Sequence, residues 1–178
     1  HFRKAQQEEL NSIVINSEII KNVFTQAQRA AKRSTSILIT GETGTGKEVL
    51  ARAIHRMGPR KEQPFIDINC AAVQNTMLES ELFGHEAGAF TGAQKRKRGL
   101  MEVADEGILF LDEISSMSSD MQAKVLRALE ERAFRRVGST TSIQVDVQIL
   151  AASNKNLPDL IEKGSFREDL YYRLKVIN

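Results

Sequence analysis

Residues 41–47 read Gly41-Glu42-Thr43-Gly44-Thr45-Gly46-Lys47, and this stretch decides the fold. It follows a short apolar run at residues 37–40 and precedes a helical pattern, which is the context of a phosphate-binding loop. Glycines let successive backbone N–H groups point into one concavity. The helix N-terminus adds partial positive charge, and Lys47 adds a full charge for the β- and γ-phosphates. Residues 41–48 therefore form the predicted nucleotide site.

Position 48 departs from the usual form of this motif. Glu48 stands where a serine or threonine hydroxyl ordinarily ligates Mg²⁺. Two arrangements follow from this difference. Either phosphates, water and another carboxylate hold the metal, or Thr45 contributes its hydroxyl, and the sequence is compatible with both.

Apolar runs alternate with helical stretches along the chain, which predicts an α/β fold with a parallel sheet covered by helices. A capping box at Ser119–Gln122 favours a helix start there, and Ser17 is a second candidate cap. Val176-Ile177 is typical of an entering strand. The expected architecture is a three-layer P-loop NTPase sandwich with a central parallel sheet. Strands are predicted at residues 37–40, 65–68, 108–111 and 145–152, and helices at residues 17–32, 48–57, 119–131 and 157–163.

Two adjacent carboxylates, Asp112 and Glu113, end the apolar run at residues 108–111. Ligands of open α/β sheets bind outside the carboxyl ends of the strands, so we expect this pair beside the phosphate loop. Asp112 is then the predicted Mg²⁺ partner, and Glu113 the base that orients or deprotonates the attacking water. An acidic couplet can also start a loop or cap a helix, but the upstream phosphate loop favours catalysis.

Composition limits the class of protein. The chain of 178 residues is long enough for one domain, and its net charge of +2 is too small to indicate nucleic acid by itself. Cys70 is the single cysteine, so it forms no internal disulfide. Without a long apolar run or an apolar leader, we expect a cytoplasmic protein with no membrane association. Because the chain begins with His1, we expect an excised domain.

A further motif, Gly88-Ala89-Phe90-Thr91-Gly92-Ala93, has no chemistry that general principles explain. By composition it is typical of a surface turn with Phe90 tucked into the core. It is identical, however, to the signature loop of bacterial sigma-54-dependent transcription activators. The flanking residues 81–86 and 107–114 match as well, and the similarity extends over residues 17–174. The chain thus resembles the AAA+ ATPase domain of that family.

This resemblance implies an ATP- and Mg²⁺-dependent motor that assembles into a homo-oligomeric ring, a hexamer or heptamer. Residues 88–93 would contact the sigma-54 RNA polymerase holoenzyme, and the motor would remodel its closed promoter complex. Arg136-Val137-Gly138 matches the start of a second pore loop. Residues 1–178 would be the α/β subdomain, with the C-terminal helical lid absent. Promoter or enhancer DNA would be bound by a domain outside this chain.

Two asparagines receive roles only from the resemblance. Asn154, at the end of residues 151–154, matches the first sensor near the γ-phosphate. Asn69 matches the residue that holds the catalytic glutamate, here Glu113, in an inactive orientation until a partner is contacted.

The segment 166–174 matches the one that supplies arginine fingers to a neighbouring subunit. Arg173 is the first choice for the finger and Arg167 the second. The alternative is that these are surface arginines, paired with Glu168 or Asp169. A finger offered in trans is worth roughly three to five powers of ten in rate, so hydrolysis would need the assembled ring.

Other features leave alternatives open. Ile15 replaces a glycine that is common in the family near the nucleotide base, so the base contacts are undetermined. The basic run Lys95–Arg98 fits either a contact with DNA or polymerase, or a solvated loop face. An AAA+ remodeller of another client and a non-hydrolysing, ATP-dependent assembly regulator are the rival functions. The Asp112-Glu113 pair argues against the second.

Overall fold

A computed structural model of the chain describes residues 18–32 and 35–174. The predicted cap Ser17, the departure at Ile15 and the run Val176-Ile177 lie outside these residues. Named in chain order, the elements are α1 (Glu18–Ala31), β1 (Ile37–Thr40), α2 (Lys47–Met57), β2 (Phe65–Asn69), α3 (Asn75–Phe83), β3 (Gly84–His85), β4 (Lys97–Arg98), α4 (Leu100–Val103), β5 (Ile108–Asp112), a 3-10 turn (Ile114–Ser116), α5 (Ser119–Glu131), β6 (Ala133–Arg135), β7 (Ser142–Gln144), β8 (Gln148–Ser153), α6 (Leu157–Glu162) and α7 (Glu168–Leu174).

The main sheet has four parallel strands in the order β1-β8-β5-β2. Their register brings the last residues of neighbouring strands side by side, with Thr40 opposite Ser153 and Asn69 opposite Asp112. All four carboxyl ends therefore form one edge of the sheet. The helical connections between these parallel strands confirm the predicted α/β class.

Both faces of the sheet are covered. Side chains of a strand alternate between faces, so Ile108 and Phe110 pack with Ala27 and Ile54 of α1 and α2. Leu109 and Leu111 point the other way and join a cluster with residues of α3, α5 and α7. Two apolar layers on one buried sheet confirm the three-layer sandwich.

The strand predicted at residues 145–152 begins later, at Gln148. Residues 145–147 are held outside the ladder because the backbone N of Asp146 donates to Asp105 Oδ1 at 2.8 Å. The carboxylate of Asp146 also pairs with Arg60, with the Nη2 and Oδ1 atoms 2.9 Å apart. Polar contacts of Asp146 thus shorten the strand relative to the apolar pattern that predicts it.

The predicted capping box at Ser119–Gln122 is also wrong. Ser118 is the N-cap of α5, and its Oγ accepts from Met121 N at 3.3 Å. Gln122 is fully buried and bonds elsewhere. In α1 the buried residues include Ala27 and Ala31, whereas Val23 is 39% exposed.

Several elements have no counterpart in the predicted pattern: the helices α3, α4 and α7 and two short antiparallel hairpins, β3–β4 and β6–β7. Their strands are only two or three residues long, too short for a period-two pattern to be visible. Within the described residues, no helix combines the length and apolarity needed to span a bilayer.

Candidate nucleotide site

The loop at residues 41–47 leaves the end of β1 and enters α2. Gly41 N donates to Ser153 O at 3.2 Å, which ties the loop to the end of the neighbouring strand β8. Gly44 and Gly46 have φ angles of 81° and 84°, a left-handed conformation that residues with a Cβ adopt at a cost. The two glycines therefore make the loop curl back towards the sheet edge, as the motif predicts.

The side chain of Lys47 folds into this loop. Its Nζ donates to the backbone oxygens of Gly41 and Glu42, each at 2.8 Å. An ammonium has three N–H donors, so one remains to meet an anion held by the loop. Positive charge is thus fixed where the motif predicts the β- and γ-phosphates.

The two residues considered for Mg²⁺ within the loop both make contacts of their own. Thr45 Oγ1 donates to Glu42 O at 2.7 Å. Glu48 Oε1 accepts from Arg52 Nε at 3.0 Å. Among residues 18–32 and 35–174, no group of three or more His, Cys, Asp or Glu side chains could hold a metal. These residues therefore fit a Mg²⁺ ion that takes only part of its ligands from the protein. Such an ion is commonly bound by one or two carboxylates together with substrate phosphates and water.

Asp112 and Glu113 turn the chain sharply at the end of β5. Glu113 has φ 53° and ψ 50°, a left-handed conformation that is uncommon for a residue other than glycine. Its backbone N donates to Asp112 Oδ1 at 3.0 Å. Such strained conformations often occur at functional sites. Both carboxylates remain partly accessible at the same edge of the sheet as the loop.

Asn154 joins the loop to the acidic pair. Its Nδ2 donates to Thr43 Oγ1 at 3.0 Å, and its backbone N lies 3.4 Å from Glu113 Oε2 as a donor. The phosphate loop, the catalytic candidate and the predicted sensor therefore meet in one place. Because Asn154 directly follows β8, the central strands of the sheet set this arrangement.

Asn69 does not hold Glu113 in this structure. Its Oδ1 accepts from the backbone N of Ala71 at 2.9 Å and of Ala72 at 3.3 Å, closing a local turn. Among the residues that the structure describes, no hydrogen bond joins Asn69 to Glu113. The strands that carry them are nevertheless adjacent, with Asn69 opposite Asp112.

The two candidate arginines lie apart from this site. Arg167 pairs with Asp169, with Nη2 and Oδ2 2.7 Å apart, and this hydrogen bond raises the pKa of Arg167 and lowers that of Asp169. Arg173 Nη2 donates to Leu129 O at 3.0 Å. Arg173 lines a cavity with Thr35 and Gln148, which lie at the amino ends of β1 and β8. It is thus at the opposite edge of the sheet from its own phosphate loop.

Residues 88–93 form the turn of the β3–β4 hairpin. Gly88 N donates to Ala93 O at 2.7 Å, which closes the base of the turn. Phe90 is 47% exposed, and its ring meets His85 edge-on at a centroid distance of 5.0 Å. The interpretation of a turn with Phe90 tucked into the core is therefore wrong, because the aromatic side chain is presented at the surface.

A comparison with protein families agrees with this arrangement of motifs. The family model described as the sigma-54 interaction domain matches residues 13–178. The chain belongs to the sigma-54 interaction domain family. The predicted resemblance to the AAA+ domain of sigma-54-dependent activators is confirmed, and so are the α/β fold and the transcription-regulator class.

Curated relatives of this sigma-54 interaction domain are regulatory proteins by name. The chain is 52% identical to a Nif-specific regulatory protein of Herbaspirillum seropedicae over 95% of its own length. It is 51% identical over 93% of its length to the regulatory protein AtoC of Escherichia coli. The chain spans about a third of each relative, 31% and 36% respectively.

Solved structures resemble the domain over nearly its whole length. NtrX from Brucella abortus, in a crystal structure with ATP, matches with a TM-score of 0.85 and 38% identity. The match covers 98% of this chain and 38% of NtrX. A P-loop NTPase domain of a sigma-54 activator from Escherichia coli shares the fold at a TM-score of 0.60 and 15% identity.

The sigma-54 interaction domain also contains an ionic cluster that the sequence did not predict. Arg136 Nη1 pairs with Glu86 at 2.8 Å, and Arg136 Nη2 pairs with Glu102 at 2.7 Å. The hydrogen bond from Arg136 lowers the pKa of Glu102. Val137 N also donates to Gly84 O at 3.0 Å. Residues 136 and 137, at the start of the predicted second pore loop, are therefore fixed to the base of the hairpin that carries residues 88–93.

Proposed function

We propose that this domain hydrolyses ATP and uses the reaction to remodel the closed promoter complex of sigma-54 RNA polymerase. The observation that carries the proposal is the double contact of Asn154 with Thr43 and Glu113, because it unites a phosphate loop and a carboxylate at one site. The family membership supports the same conclusion, and so does the ATP complex of NtrX. Action on RNA polymerase would place the protein in the cytoplasm.

Residues 41–48 would hold the triphosphate. The backbone N–H groups of the loop and the N-terminus of α2 favour an anion there. Lys47 would donate to a phosphate oxygen from the position that its bonds to Gly41 and Glu42 define. Asp112 would hold Mg²⁺ together with phosphate oxygens. When bound, that ion offsets charge on the β- and γ-phosphates.

Glu113 would act on the water. A carboxylate at the strand end can accept a hydrogen bond from the attacking water, or take its proton. Asn154 would position both this carboxylate and the loop, since it donates to each. Asn69 would compete for Glu113 by leaving its local turn, which makes it a switch governed by contact with the partner.

An arginine from a second subunit would complete the site. Arg173 is at the far edge of the sheet from its own loop, and β8, with six residues, spans about 20 Å between the two edges. A contribution of Arg173 to hydrolysis therefore requires a neighbour in a homo-oligomeric ring, a hexamer or heptamer. Arg167, whose backbone lies near the start of α5, is the alternative finger.

The β3–β4 turn would contact the sigma factor. Phe90 exposes an apolar ring on a hairpin that is otherwise small and uncharged between residues 88 and 93. Exposed aromatic residues are frequent anchors of protein interfaces. Binding of promoter or enhancer DNA would be the task of another part of the protein.

Substitution of Glu113 by glutamine in the full-length protein tests the catalytic part. We expect ATP turnover to fall at least about a hundredfold because the base is lost, while nucleotide binding is retained. Glu106→Gln is the matched control, since Glu106 is also left-handed, with φ 64°, but precedes β5 at the other edge. Normal phosphate release by Glu113→Gln would refute hydrolysis at this site.

Substitution of Phe90 by alanine tests the client. We expect binding to sigma-54 and promoter opening to be lost while basal ATP turnover remains, because residues 88–93 belong to the β3–β4 hairpin and not to the main sheet that carries the triphosphate residues. Met77→Ala is the matched control, as Met77 is 55% exposed on α3. Unchanged binding of sigma-54 by Phe90→Ala would favour a remodeller of another client.

A further inference from the structure

Gln122 connects three segments of backbone from a fully buried position near the start of α5. Its Nε2 donates to Met117 O at 3.0 Å and to Ser165 O at 3.2 Å. Its Oε1 accepts from Arg167 N at 2.8 Å. Both the nitrogen and the oxygen of the side-chain amide are therefore hydrogen-bonded. Met117 precedes Gln122 by five residues, whereas Ser165 and Arg167 follow it by 43 and 45 residues.

On one side of this amide lies the segment that follows the acidic pair. Ser116 N donates to Glu113 O at 3.0 Å, and Met117 N donates to Ile114 O at 3.1 Å. The 3-10 turn is thus a short, continuously bonded connection from Glu113 to the carbonyl that Gln122 contacts.

On the other side lies the segment that presents the arginines. Residues 165–167 lead directly into α7, which carries Arg173, and Phe166 is anchored in the core with 3% of its surface exposed. The Gln122 amide hydrogen-bonds this segment on both sides of Phe166, at Ser165 O and Arg167 N.

We propose that Gln122 is a positioning residue that couples Glu113 of one nucleotide site to the arginine segment offered to the next subunit. This inference rests on the proposed function, because it assumes that α7 acts in trans. A buried donor or acceptor left without a partner is unfavourable, so the two segments shift together rather than break the amide contacts. The state of one site thereby sets the position of the arginine for its neighbour.

Capping of α5 does not account for Gln122, since Ser118 already supplies the side-chain cap. Gln148 offers a comparison within the same molecule. It is also buried, with 3% of its surface exposed, and its Nε2 donates to Thr35 O at 2.9 Å. That bond connects β8 to the residues before β1 and reaches neither the Glu113 turn nor residues 165–167, although Gln148 lines the same cavity as Arg173.

The first test compares Gln122→Met with Gln148→Met in the full-length protein. For Gln122→Met we expect kcat for ATP to fall about ten- to hundredfold with KM changed little, because misplacement of a reacting group costs this much in rate. For Gln148→Met, whose amide bonds to Thr35 O rather than to residues 165–167, we expect a change in melting temperature and a much smaller loss of kcat. Equal losses of kcat in both variants would overturn the proposal, since they would reflect general destabilisation.

Oligomers assembled from two different variants separate hydrolysis at a subunit's own site from the supply of an arginine to the neighbouring site. Glu113→Gln subunits cannot hydrolyse but carry an intact arginine segment, so mixing them with Gln122→Met subunits should restore turnover. Arg173→Ala mixed with Glu113→Gln is the reference pair and should recover in the same way. A mixture of Gln122→Met with Arg173→Ala should stay inactive, because both supply a defective arginine segment.

The outcomes distinguish the two claims. Absence of recovery in the reference pair would show that Arg173 does not act in trans, which overturns the proposed function and this inference with it. Recovery in the reference pair without recovery in the Gln122→Met mixture would overturn the coupling alone.

A measurement on the unchanged protein covers the case in which Gln122→Met does not fold. Hydrogen–deuterium exchange of residues 165–173 should differ between ADP and a non-hydrolysable ATP analogue. Identical exchange with the two nucleotides, under conditions where the exchange of residues 112–117 differs, would overturn the proposal.

Discussion

The two edges of the main sheet use polar groups in opposite ways. At the amino edge they satisfy one another: Arg60 donates to Gly107 O and Asp146 O and pairs with Asp146 Oδ1. At the carboxyl edge Asp112 and Glu113 each accept from one backbone N, which leaves carboxylate oxygens available. The first arrangement stabilises the fold, and the second keeps acceptors ready for a ligand.

The largest expected effect is on the reactivity of Cys70. This residue lies at the carboxyl edge but is buried, unlike the partly accessible carboxylates of Asp112 and Glu113. Its N donates to Asp112 O at 2.9 Å, and burial, followed by the charge of Asp112, raises the pKa of its thiol from 9.0 to about 12. Since the thiolate is the reactive form, alkylation by iodoacetamide at pH 8 should be roughly a thousandfold slower than in the unfolded chain. Fast alkylation of the native protein would show that this edge opens more than the comparison implies.

The raised pKa of Cys70 also makes the stability of the fold depend on pH. A thiol whose folded pKa is raised favours folding fully below its unfolded value of 9.0, and this contribution is lost as the pH rises towards about 12. Urea unfolding of Cys70→Ala and the unchanged protein, at pH 7 and pH 10.5, should therefore give a smaller stability difference at the higher pH.

Lys47→Ala tests the ligand side of the carboxyl edge. We expect affinity for ATP to fall about a hundredfold, since hydrogen bonds to charged groups contribute up to ~3 kcal/mol. The melting temperature without nucleotide should change little. Calorimetric titration with ATP measures the loss, and Lys61→Ala, an exposed lysine outside the loop, serves as the control. Equal affinities of Lys47→Ala and the unchanged protein would contradict the assignment of the loop.

Arg60→Ala tests the amino edge in the reverse sense. It should destabilise the fold by about 2 kcal/mol, or roughly thirtyfold in the folding equilibrium, because Asp146 O loses its donor and the ion pair with the Asp146 carboxylate is lost. Gly107 O also loses a bond but still accepts from Gln148 N at 3.0 Å. Affinity for ATP should remain unchanged. Arg127→Ala removes an exposed pair with Glu131 and should cost under about 0.5 kcal/mol in urea unfolding. Weaker binding of ATP by Arg60→Ala would contradict the assignment of a purely structural role to the amino edge.

Ser118→Ala gives the smallest expected effect and sharpens the description of α5. Loss of a cap costs about 1 kcal/mol, or roughly fivefold in the folding equilibrium. Ser119→Ala, at the residue that the sequence pattern favoured, should change the stability by less than half of that. The reverse order in chemical denaturation would reinstate the cap at Ser119.

The sequence predicted those parts of the molecule in which local pattern and structure coincide. The loop at residues 41–47 and the strand that ends at Asp112 are continuous motifs, so their placement on strand ends was foreseeable. The contact of Asn154 with Thr43 and Glu113 agrees with the predicted meeting of these elements. Their catalytic and binding roles remain predictions.

Contacts between distant segments were not predictable. Gln122 fits a capping box by spacing, yet its partners Ser165 and Arg167 come from another segment. The late start of β8 depends likewise on Arg60 and Asp105, which no local pattern connects with Asp146. The pairing of Arg167 with Asp169 is one of the alternatives that the sequence predicts, because the two charges are neighbours in the chain.

The backbone of Glu113 has a consequence for evolution in the laboratory. A left-handed conformation costs a residue with a side chain roughly 1–2 kcal/mol, and glycine adopts it freely. Selection for heat resistance alone should therefore enrich Glu113→Gly, whereas selection for turnover should remove it. Resistance to heat and catalytic speed would thus impose opposing demands on a single amino acid of this domain.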